Sequence, residues 1–461
     1  MMPFPVAPAR IERDYDGDNR LVQKMTGWIH SSQPTTNSAF DDRYCQRAAQ
    51  YPPSKAGETK AGTLRIGALE LGTPIVLAPM AGVTNPPFRQ MCRLSAAAAA
   101  AELGHPKHND DRAGTYACDG LYICEMITAR ALVERSPESL RMIEPDIGDP
   151  VRSIQLYGVE PRSIANAVEL LIAHGWADHI DLNFGCPVPK VTRKGGGAAL
   201  PWKHDLFSAI VRAAVRAAQR ASGGRVPVTA KFRIGIDHEH ETFRDVARMC
   251  EDAGIAALTL HARTLTQHYS GQADWSRIAE LVAYTQLPVF GNGDIFEAAD
   301  ARDMLAQTGA AGVVVGRGCQ GRPWLFYDLY ADYHGSSRRA RPTLRDVSAI
   351  IEQHAHLLVE HFHDEDRAMR EMRKHVGWYL RGFSVGGAAR HDLALISSRE
   401  ELHERLAALE DQPYPSAAEG KRGRSGGEKR AHLPEGWLSS HELSEEHQRA
   451  LREAEINVSG G

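Results

Sequence analysis

Residues 226–316 contain four strand-like runs in succession: VPVTAKFR (226–233), AALTLHAR (256–263), LPVFGNG (287–293) and AGVVVG (311–316). The first three runs are each followed by a segment with helical periodicity, at 241–253, 275–284 and 297–308. Near-continuous apolar strands that alternate with helices are typical of a parallel sheet covered by helices. The stretch therefore predicts consecutive β–α units of an α/β fold.

The same alternation extends upstream. Four further runs are PIVLAPM (74–80), GLYICEM (120–126), RSIQLYG (152–158) and DHIDLNF (178–184), with helical segments at 161–174 and 204–221. Eight units in about 260 residues favour a closed (β/α)8 TIM barrel. On the count alone, an open doubly wound sheet remains an alternative.

We assign residues 64–335 to the barrel. Residues 1–63 are rich in polar residues and turn formers, which predicts an N-terminal extension that is partly disordered. The Ala-rich and then polar stretch 95–118 lies between the first helix and the second strand. It is predicted to be a surface insertion.

The chain after the barrel divides into two further parts. Residues 336–410 have helical periodicity without strand runs, which predicts a smaller all-helical domain. Residues 411–461 are predicted to be a low-complexity linker and C-terminal tail. Within that part, 411–435 is expected to be flexible and 436–457 to form one charged helix.

The composition limits the class of protein. Of 461 residues, 43% are hydrophobic and 24% are charged, and the mean hydropathy is −0.37. Since the chain has neither an apolar run of about 20 residues nor a secretory signal pattern, we expect a cytoplasmic protein without a membrane span. We also expect a monomer. The net charge of −4 argues against nucleic-acid binding over the whole surface but leaves room for a local basic patch.

The seven cysteines are scattered, and no two have CxxC spacing. Neither a metal site nor a disulfide framework is indicated. Most cysteines are expected to be buried thiols that act as small apolar residues.

Polar residues cluster at the carboxyl ends of the predicted strands, where barrels bind their ligands. Since an unpaired cation at a buried strand end costs several kcal/mol, on the order of its desolvation penalty, their convergence indicates a polar ligand. Glycines after the last two strands permit close backbone approach, which is typical of a phosphate site. Beside them stands Arg317, while the fifth and sixth strands carry Lys231, Arg233, His261 and Arg263.

Seven ordered motifs together resemble those of the tRNA-dihydrouridine synthases, with bacterial B-type members the nearest match. They are LAPMAGVTNPPFR (77–89), CEMITARAL (124–132), IDLNFGCPVPKVTRKGGGAAL (180–200), KFRIGIDHE (231–239), LTLHARTLTQHYSGQADW (258–275), VFGNGDI (289–295) and VVVGRGCQGRPWLF (313–326). The resemblance covers residues 64 to 408, approximately the barrel and the helical domain. Three segments depart from the bacterial pattern: the extension, the 95–118 insertion and the tail.

The resemblance implies bound FMN, NADPH as the electron source and uridine in tRNA as the substrate. Carried over residue by residue, it implies a catalytic acid, Cys186, and a substrate contact, Asn183. The implied cofactor-binding residues are Pro79, Met80, Ala81, Gln155, Lys231, His261, Asn292, Gly293, Asp294, Gly316 and Arg317.

The chemistry of these residues agrees with those roles. A thiol with a pKa near ~8.5 is mostly protonated at neutral pH and is still able to donate a proton. Lys231 lies within an apolar strand, as expected of a cation that stabilises negative charge in a buried site. The alternative interpretations without a catalytic role are a packed structural thiol for Cys186 and a surface lysine for Lys231.

Cations for tRNA binding are expected next to the proposed acid. Lys190, Arg193 and Lys194 follow it in the same loop, and Arg233 ends the fifth strand. Further cations in the helical domain suit a solvated helix face equally well: Arg370, Arg373, Lys374 and Arg381.

Two other functions compete with this hypothesis. One is a different FMN barrel that acts on a small molecule, although such a substrate needs neither a helical domain nor a basic loop. The other is a tRNA-binding factor whose flavin site is vestigial, which the presence of Cys186 and Lys231 disfavours.

Overall fold

The structure is a computed structural model that describes residues 20, 22–27, 64–105, 120–144, 149, 151–422 and 426–456, the last five by their backbone alone. Most of the predicted extension, 1–63, lies outside the described residues. Its described part, 22–27, is helical and buries Val22 and Met25 in the hydrophobic core.

A parallel barrel forms the body of the protein. Its strands are β3 (Ile75–Leu77), β4 (Leu121–Tyr122), β5 (Ile127–Thr128), β6 (Ser153–Tyr157), β7 (His179–Phe184), β8 (Val228–Arg233), β9 (Ala257–His261), β10 (Val289–Asn292) and β11 (Gly312–Val315), after a hairpin of β1 (Leu64–Ile66) and β2 (Leu69–Leu71). They pair in the order β4-β3-β11-β10-β9-β8-β7-β6-β5.

The two ends of this order belong to one stretch of chain, because β4 and β5 lie in the same run. Between them, the Ile123 amide donates to Leu77 O at 3.4 Å and the Cys124 amide donates to Ser153 O at 3.1 Å. This run, residues 121–128, pairs with β3 on one side and β6 on the other. Counted as one strand, it closes a barrel of eight parallel strands. The predicted (β/α)8 fold is confirmed.

The hairpin covers the amino-terminal end of the barrel. Its Ile66 and Leu71 are buried in one cluster with Val76, Phe290 and Val314 of the barrel strands. The opposite end, where the strands finish, is therefore the one left for a ligand.

Helices surround the barrel: α1 (Pro86–Glu102), α2 (Ala129–Val133), α3 (Pro137–Met142), α4 (Pro161–Ala173), α5 (Pro189–Thr192), α6 (His204–Ser222), α7 (Phe243–Ala253), α8 (Trp275–Tyr284), α9 (Ala298–Thr308) and α10 (Leu325–Tyr333). Local sequence sets several of their ends. At the start of α1, the Asn85 side chain accepts from the Phe88 amide, and α7 ends at Gly254 with φ +84°.

The expected surface insertion at 95–118 differs from the structure in its first part. Residues 95–102 complete α1, and residues 95–100 are buried. Alanine is the best helix former, and its short side chain lets α1 pack closely on α10. The alanine-rich run that was expected on the surface is therefore the buried second half of α1. Residues 106–119 lie outside the described part of the chain.

Helices alone follow the barrel as far as residue 407: α11 (Leu344–Phe362), α12 (Glu365–Tyr379), α13 (Gly387–Leu393) and α14 (Arg399–Ala407). This confirms the predicted helical region. It packs on α1, where the Phe88 ring lies 5.8 Å from the His354 ring and 5.7 Å from the His375 ring, between centroids.

The tail differs from the flexible linker expected at 411–435. Arg422 is buried and donates to the carbonyls of Gln320 and Trp378 at 2.8 and 2.9 Å. The linker-like composition did not predict these contacts, because only a few side chains and the backbone make them. Within the range expected to be a charged helix, α15 spans Glu445–Ile456. In the described segments, no helix is both long and apolar enough to cross a membrane.

Candidate active site

A cavity of about 340 Å³ opens at the carboxyl ends of the strands. The structure brings together around it every predicted cofactor-binding residue and three of the predicted catalytic and substrate residues. The lining includes Pro79, Met80, Ala81, Gln155, Asn183, Cys186, Lys231, Arg233, His261, Asn292, Gly293, Asp294, Gly316 and Arg317. The three loop cations, Lys190, Arg193 and Lys194, are not among the lining residues.

Lys231 is held at the cavity wall by a neutral partner. Its Nζ donates to Asn292 Oδ1 at 3.0 Å, and Asn292 Nδ2 donates to Val314 O at 2.7 Å. Burial, together with the nearby charge of Arg233, lowers the pKa of Lys231 to about 8, although Asp181 and Cys186 raise it in part. Because no carboxylate forms an ion pair with this ammonium group among the described residues, an anionic ligand would find a ready cation here.

A chain of amides connects the floor of the cavity to the loop that carries the thiol. Gln155 Nε2 donates to buried Asp181 at 2.7 Å, and Asn183 Nδ2 donates to Gln155 Oε1 at 2.8 Å. Asn183 Oδ1 then accepts from the amides of Gly185 and Cys186 at 3.0 and 3.1 Å. Asn183 therefore orients the thiol loop, and one of its side-chain N–H groups is left for a substrate.

The Cys186 thiol is placed in a setting that keeps it protonated. Burial raises the pKa of Cys186, while an amide of Val188 and the charges of Arg233 and Lys231 lower it in part. The Cys186 carbonyl accepts from the Ala198 amide at 3.0 Å, which fixes the loop from its other side. A protonated thiol at the edge of a polar cavity is suited to act as a general acid.

Two arginines meet where the last two strands end. Arg263 is fully buried, and its Nη2 donates to both carboxylate oxygens of Asp294 at 2.8 Å. Arg317 Nη2 lies 3.8 Å from Asp294 Oδ1. The Nη1 atoms of both arginines are buried and have no hydrogen-bond partner among the described residues. Two buried guanidinium groups with unsatisfied N–H donors, both close to Asp294, are suited to bind an anion.

Asp294 is among the predicted cofactor-binding residues, and that contact stays a prediction. Its carboxylate is already paired with Arg263. It therefore aligns Arg263 and Arg317, and only its backbone is suited to an anion. From the sequence, Arg263 is expected at a strand end without a stated role, because its pairing with Asp294 joins two separate loops.

Two further lining residues lie within the quoted motifs but were given no role from the sequence. The Tyr269 ring lies under the guanidinium groups of Arg317, at 4.5 Å, and Arg233, at 5.4 Å. Gln320 is a second example, since it lines the cavity from the turn after β11.

Arg233 is fixed by backbone carbonyls. It donates to Gly185 O at 2.8 Å, Thr264 O at 2.9 Å and His268 O at 2.8 Å. It thus clamps the thiol loop to the loop after β9, and substrate contact by Arg233 stays a prediction.

The loop cations lie just outside the cavity. Lys190 and Arg193 are exposed, and Arg193 Nη2 lies 3.4 Å from His432 Nδ1 of the tail. Of the cations in the helical domain, Arg373 donates to Ile396 O at 2.9 Å and Lys374 pairs with Glu371. Both of these side chains are therefore engaged within the fold.

Comparison with known proteins decides the family. The family model for dihydrouridine synthase (Dus) matches residues 76–416. The chain belongs to the dihydrouridine synthase family. A "Probable tRNA-dihydrouridine synthase" from Mycobacterium tuberculosis (strain ATCC 25618 / H37Rv) is 50% identical over 378 residues, which are 82% of this chain and 92% of that protein.

A "tRNA-dihydrouridine synthase B" from Pseudomonas aeruginosa is 37% identical over 320 residues, covering 69% of this chain and 86% of its own. The predicted resemblance to this family and its B-type members is confirmed. Among solved structures, that of DHODH in complex with ferulenol from Eimeria tenella aligns with a TM-score of 0.39 and 16% identity, over 66% of this chain and 92% of that one. A score this low adds nothing to the assignment.

No cluster of three or more potential metal ligands occurs within the described segments.

Proposed function

We propose that this dihydrouridine synthase reduces the C5–C6 double bond of uridine in tRNA, with bound FMN, NADPH as reductant and Cys186 as proton donor. The observation that carries the proposal is one cavity lined by Cys186, by the buried cation Lys231 and by Arg317, whose buried Nη1 has no partner among the described residues. tRNA as substrate is also supported by the names of the relatives. NADPH follows from the family resemblance.

The residues present fit FMN. The unsatisfied Nη1 atoms of Arg263 and Arg317 suit its phosphate. Gly316 leaves room beside them, since a Cβ built there meets nothing closer than 3.6 Å. Lys231, Gln155 and Asn292 would hold the polar edge of the ring. When bound, the cofactor supplies a hydride to carbon 6 of uracil.

The chain's own residues supply the other half of the reduction. The thiol of Cys186 gives its proton to carbon 5, and solvent restores the proton afterwards. Asn183 holds the thiol loop and offers its remaining N–H to the base. Because the target uridine lies within folded tRNA, it has to leave its stack to enter a cavity of this size.

The direct test is mass spectrometry of tRNA from cells that lack this protein. We expect dihydrouridine to disappear from at least one tRNA position and to return when the gene is restored. In vitro, the purified yellow protein with NADPH should form dihydrouridine in unmodified tRNA. An unchanged dihydrouridine content in the deleted strain, together with no product in vitro, would contradict the proposal.

We also propose that the loop cations contact tRNA phosphates. Replacing Lys190 and Arg193 together by alanine should reduce the slope of log affinity against log salt by about one unit for each phosphate that is no longer neutralised. The matched control replaces two exposed cations on the outer helix α6, Arg212 and Arg216, by alanine. Equal slopes in the two double variants would remove the loop from the tRNA interface.

A further inference from the structure

The tail crosses the rim of the active site. We call residues 426–443 the C-terminal strap. Its Lys429 amide donates to Thr266 O at 2.8 Å, in the loop after β9. Farther on, Lys203 Nζ donates to the carbonyls of Ser440 and Glu442 at 2.6 and 3.0 Å. The strap therefore ties the loop after β9 to the end of the thiol loop, and it lies beyond residue 416, where the family match ends.

Trp437 is the buried anchor of the strap. It is 1% exposed, and its indole Nε1 donates to Ala199 O at 2.9 Å. The Lys203 ammonium lies 5.0 Å from the centre of the Trp437 ring, and Lys203 is itself buried. A buried tryptophan with its N–H satisfied and a cation over its face holds its surroundings firmly.

The indole ring presses on a run of three glycines, residues 195–197, that backs the thiol loop. A Cβ on Gly195 would lie 2.5 Å from the Trp437 ring. A Cβ on Gly196 would lie 2.6 Å from the Tyr157 hydroxyl, and one on Gly197 would lie 2.5 Å from Cys186 O. The glycine run thus lies between the strap and the thiol loop, with no room for a Cβ at any of its three positions.

We propose that Trp437 is a positioning residue for Cys186: the strap presses the glycine run against the thiol loop and so fixes the thiol at the cavity. The inference rests on the proposed function, in which Cys186 is the acid. It assigns the tail, which lies outside the family match, to the accuracy of proton transfer. A misplacement of about 1 Å at a reacting group costs up to about 100-fold in rate.

The test is a double-mutant cycle on the single-turnover rate of dihydrouridine formation with the full-length flavoprotein. Trp437→Ala should lower the rate by about tenfold in the wild-type background. In the Cys186→Ala background the same change should lower the residual rate by less than about twofold, because the group it positions is gone. If Trp437→Ala lowered the single-turnover rate by the same factor in the wild-type and Cys186→Ala backgrounds, the proposal would be overturned.

A second readout does not depend on turnover. In the resting protein, iodoacetamide should alkylate Cys186 about tenfold faster in Trp437→Ala, because the loop opens locally. Trp437→Phe, which keeps a ring against the glycine run, should restore most of the slow rate. If Trp437→Ala does not fold, Gly195→Ala serves instead, since its Cβ displaces the ring. If Cys186 were alkylated at the wild-type rate in Trp437→Ala and in Gly195→Ala, the proposal would be overturned.

The matched control is Trp176→Phe. Trp176 is 4% exposed and precedes the same strand, β7, at its opposite end. The Trp176→Phe substitution should reduce stability without changing the rate at which Cys186 is alkylated. Failure of the proposed function would be recognised separately, as normal turnover in Cys186→Ala, while the alkylation rates would still report whether the strap positions the loop.

Discussion

Replacing Cys186 by alanine should reduce the single-turnover rate of dihydrouridine formation by about 100- to 10,000-fold, the range that general acids contribute. The thiol is held protonated by burial at the edge of the cavity, and its loop is fixed through Asn183 and Ala198. Loss of the thiol removes the proton source while the cavity keeps its other lining residues. Flavin content and tRNA affinity should therefore stay within about twofold of wild type.

The matched control for this variant is Cys250→Ala. Cys250 is a fully buried thiol on α7 and is not among the residues that line the cavity. Its loss should lower stability slightly and leave turnover unchanged. If Cys186→Ala and Cys250→Ala turned over equally well, Cys186 would not be the acid.

Replacing Arg317 by methionine should weaken FMN binding by about 10- to 100-fold, the value of one charge-assisted hydrogen bond. Arg317 is one of two arginines whose Nη1 is buried without a hydrogen-bond partner in the described residues, and Asp294 faces both. Methionine keeps the unbranched apolar stem of the side chain but removes the guanidinium group and its charge. The measurement is equilibrium binding of FMN to the apoprotein, followed by flavin fluorescence.

Riboflavin provides the control ligand for this variant because it lacks the phosphate. Arg317→Met should leave riboflavin affinity unchanged, so that the ratio of FMN to riboflavin affinity falls by the same factor of about 10 to 100, the value of that hydrogen bond. An equal reduction for both ligands would move the phosphate away from Arg317. Unchanged binding of both would remove this residue from the site.

The positions of the predicted site residues follow from one geometric fact. The carboxyl ends of all strands in a barrel face the same side, so polar residues that end separate runs must meet. This was sufficient to bring Gln155, Lys231, Asn292 and Arg317 to one cavity, although they are far apart in the chain.

Contacts between loops were not accessible from the sequence. The pairing of Arg263 with Asp294 depends on how two turns approach each other, and the position of Trp437 depends on a contact with Gly195, far back along the chain. Composition also misled in two places, since the alanines of α1 are packed and the tail is held by its buried Arg422 and Trp437. The average composition of a segment does not show which few of its residues contact the rest of the fold.

The most direct test of the central claim is the pH dependence of the single-turnover rate. A general acid must carry its proton, so the rate should be constant at neutral pH and fall as pH rises through the pKa of Cys186. Because burial raises that pKa, the fall should occur above the ordinary thiol range of about 8.5. In Cys186→Ala the fall above that range should vanish, whereas a decline near pH 8 from deprotonation of Lys231, whose pKa is about 8, should occur in both proteins. The same fall above the ordinary thiol range in both proteins would contradict proton donation by Cys186.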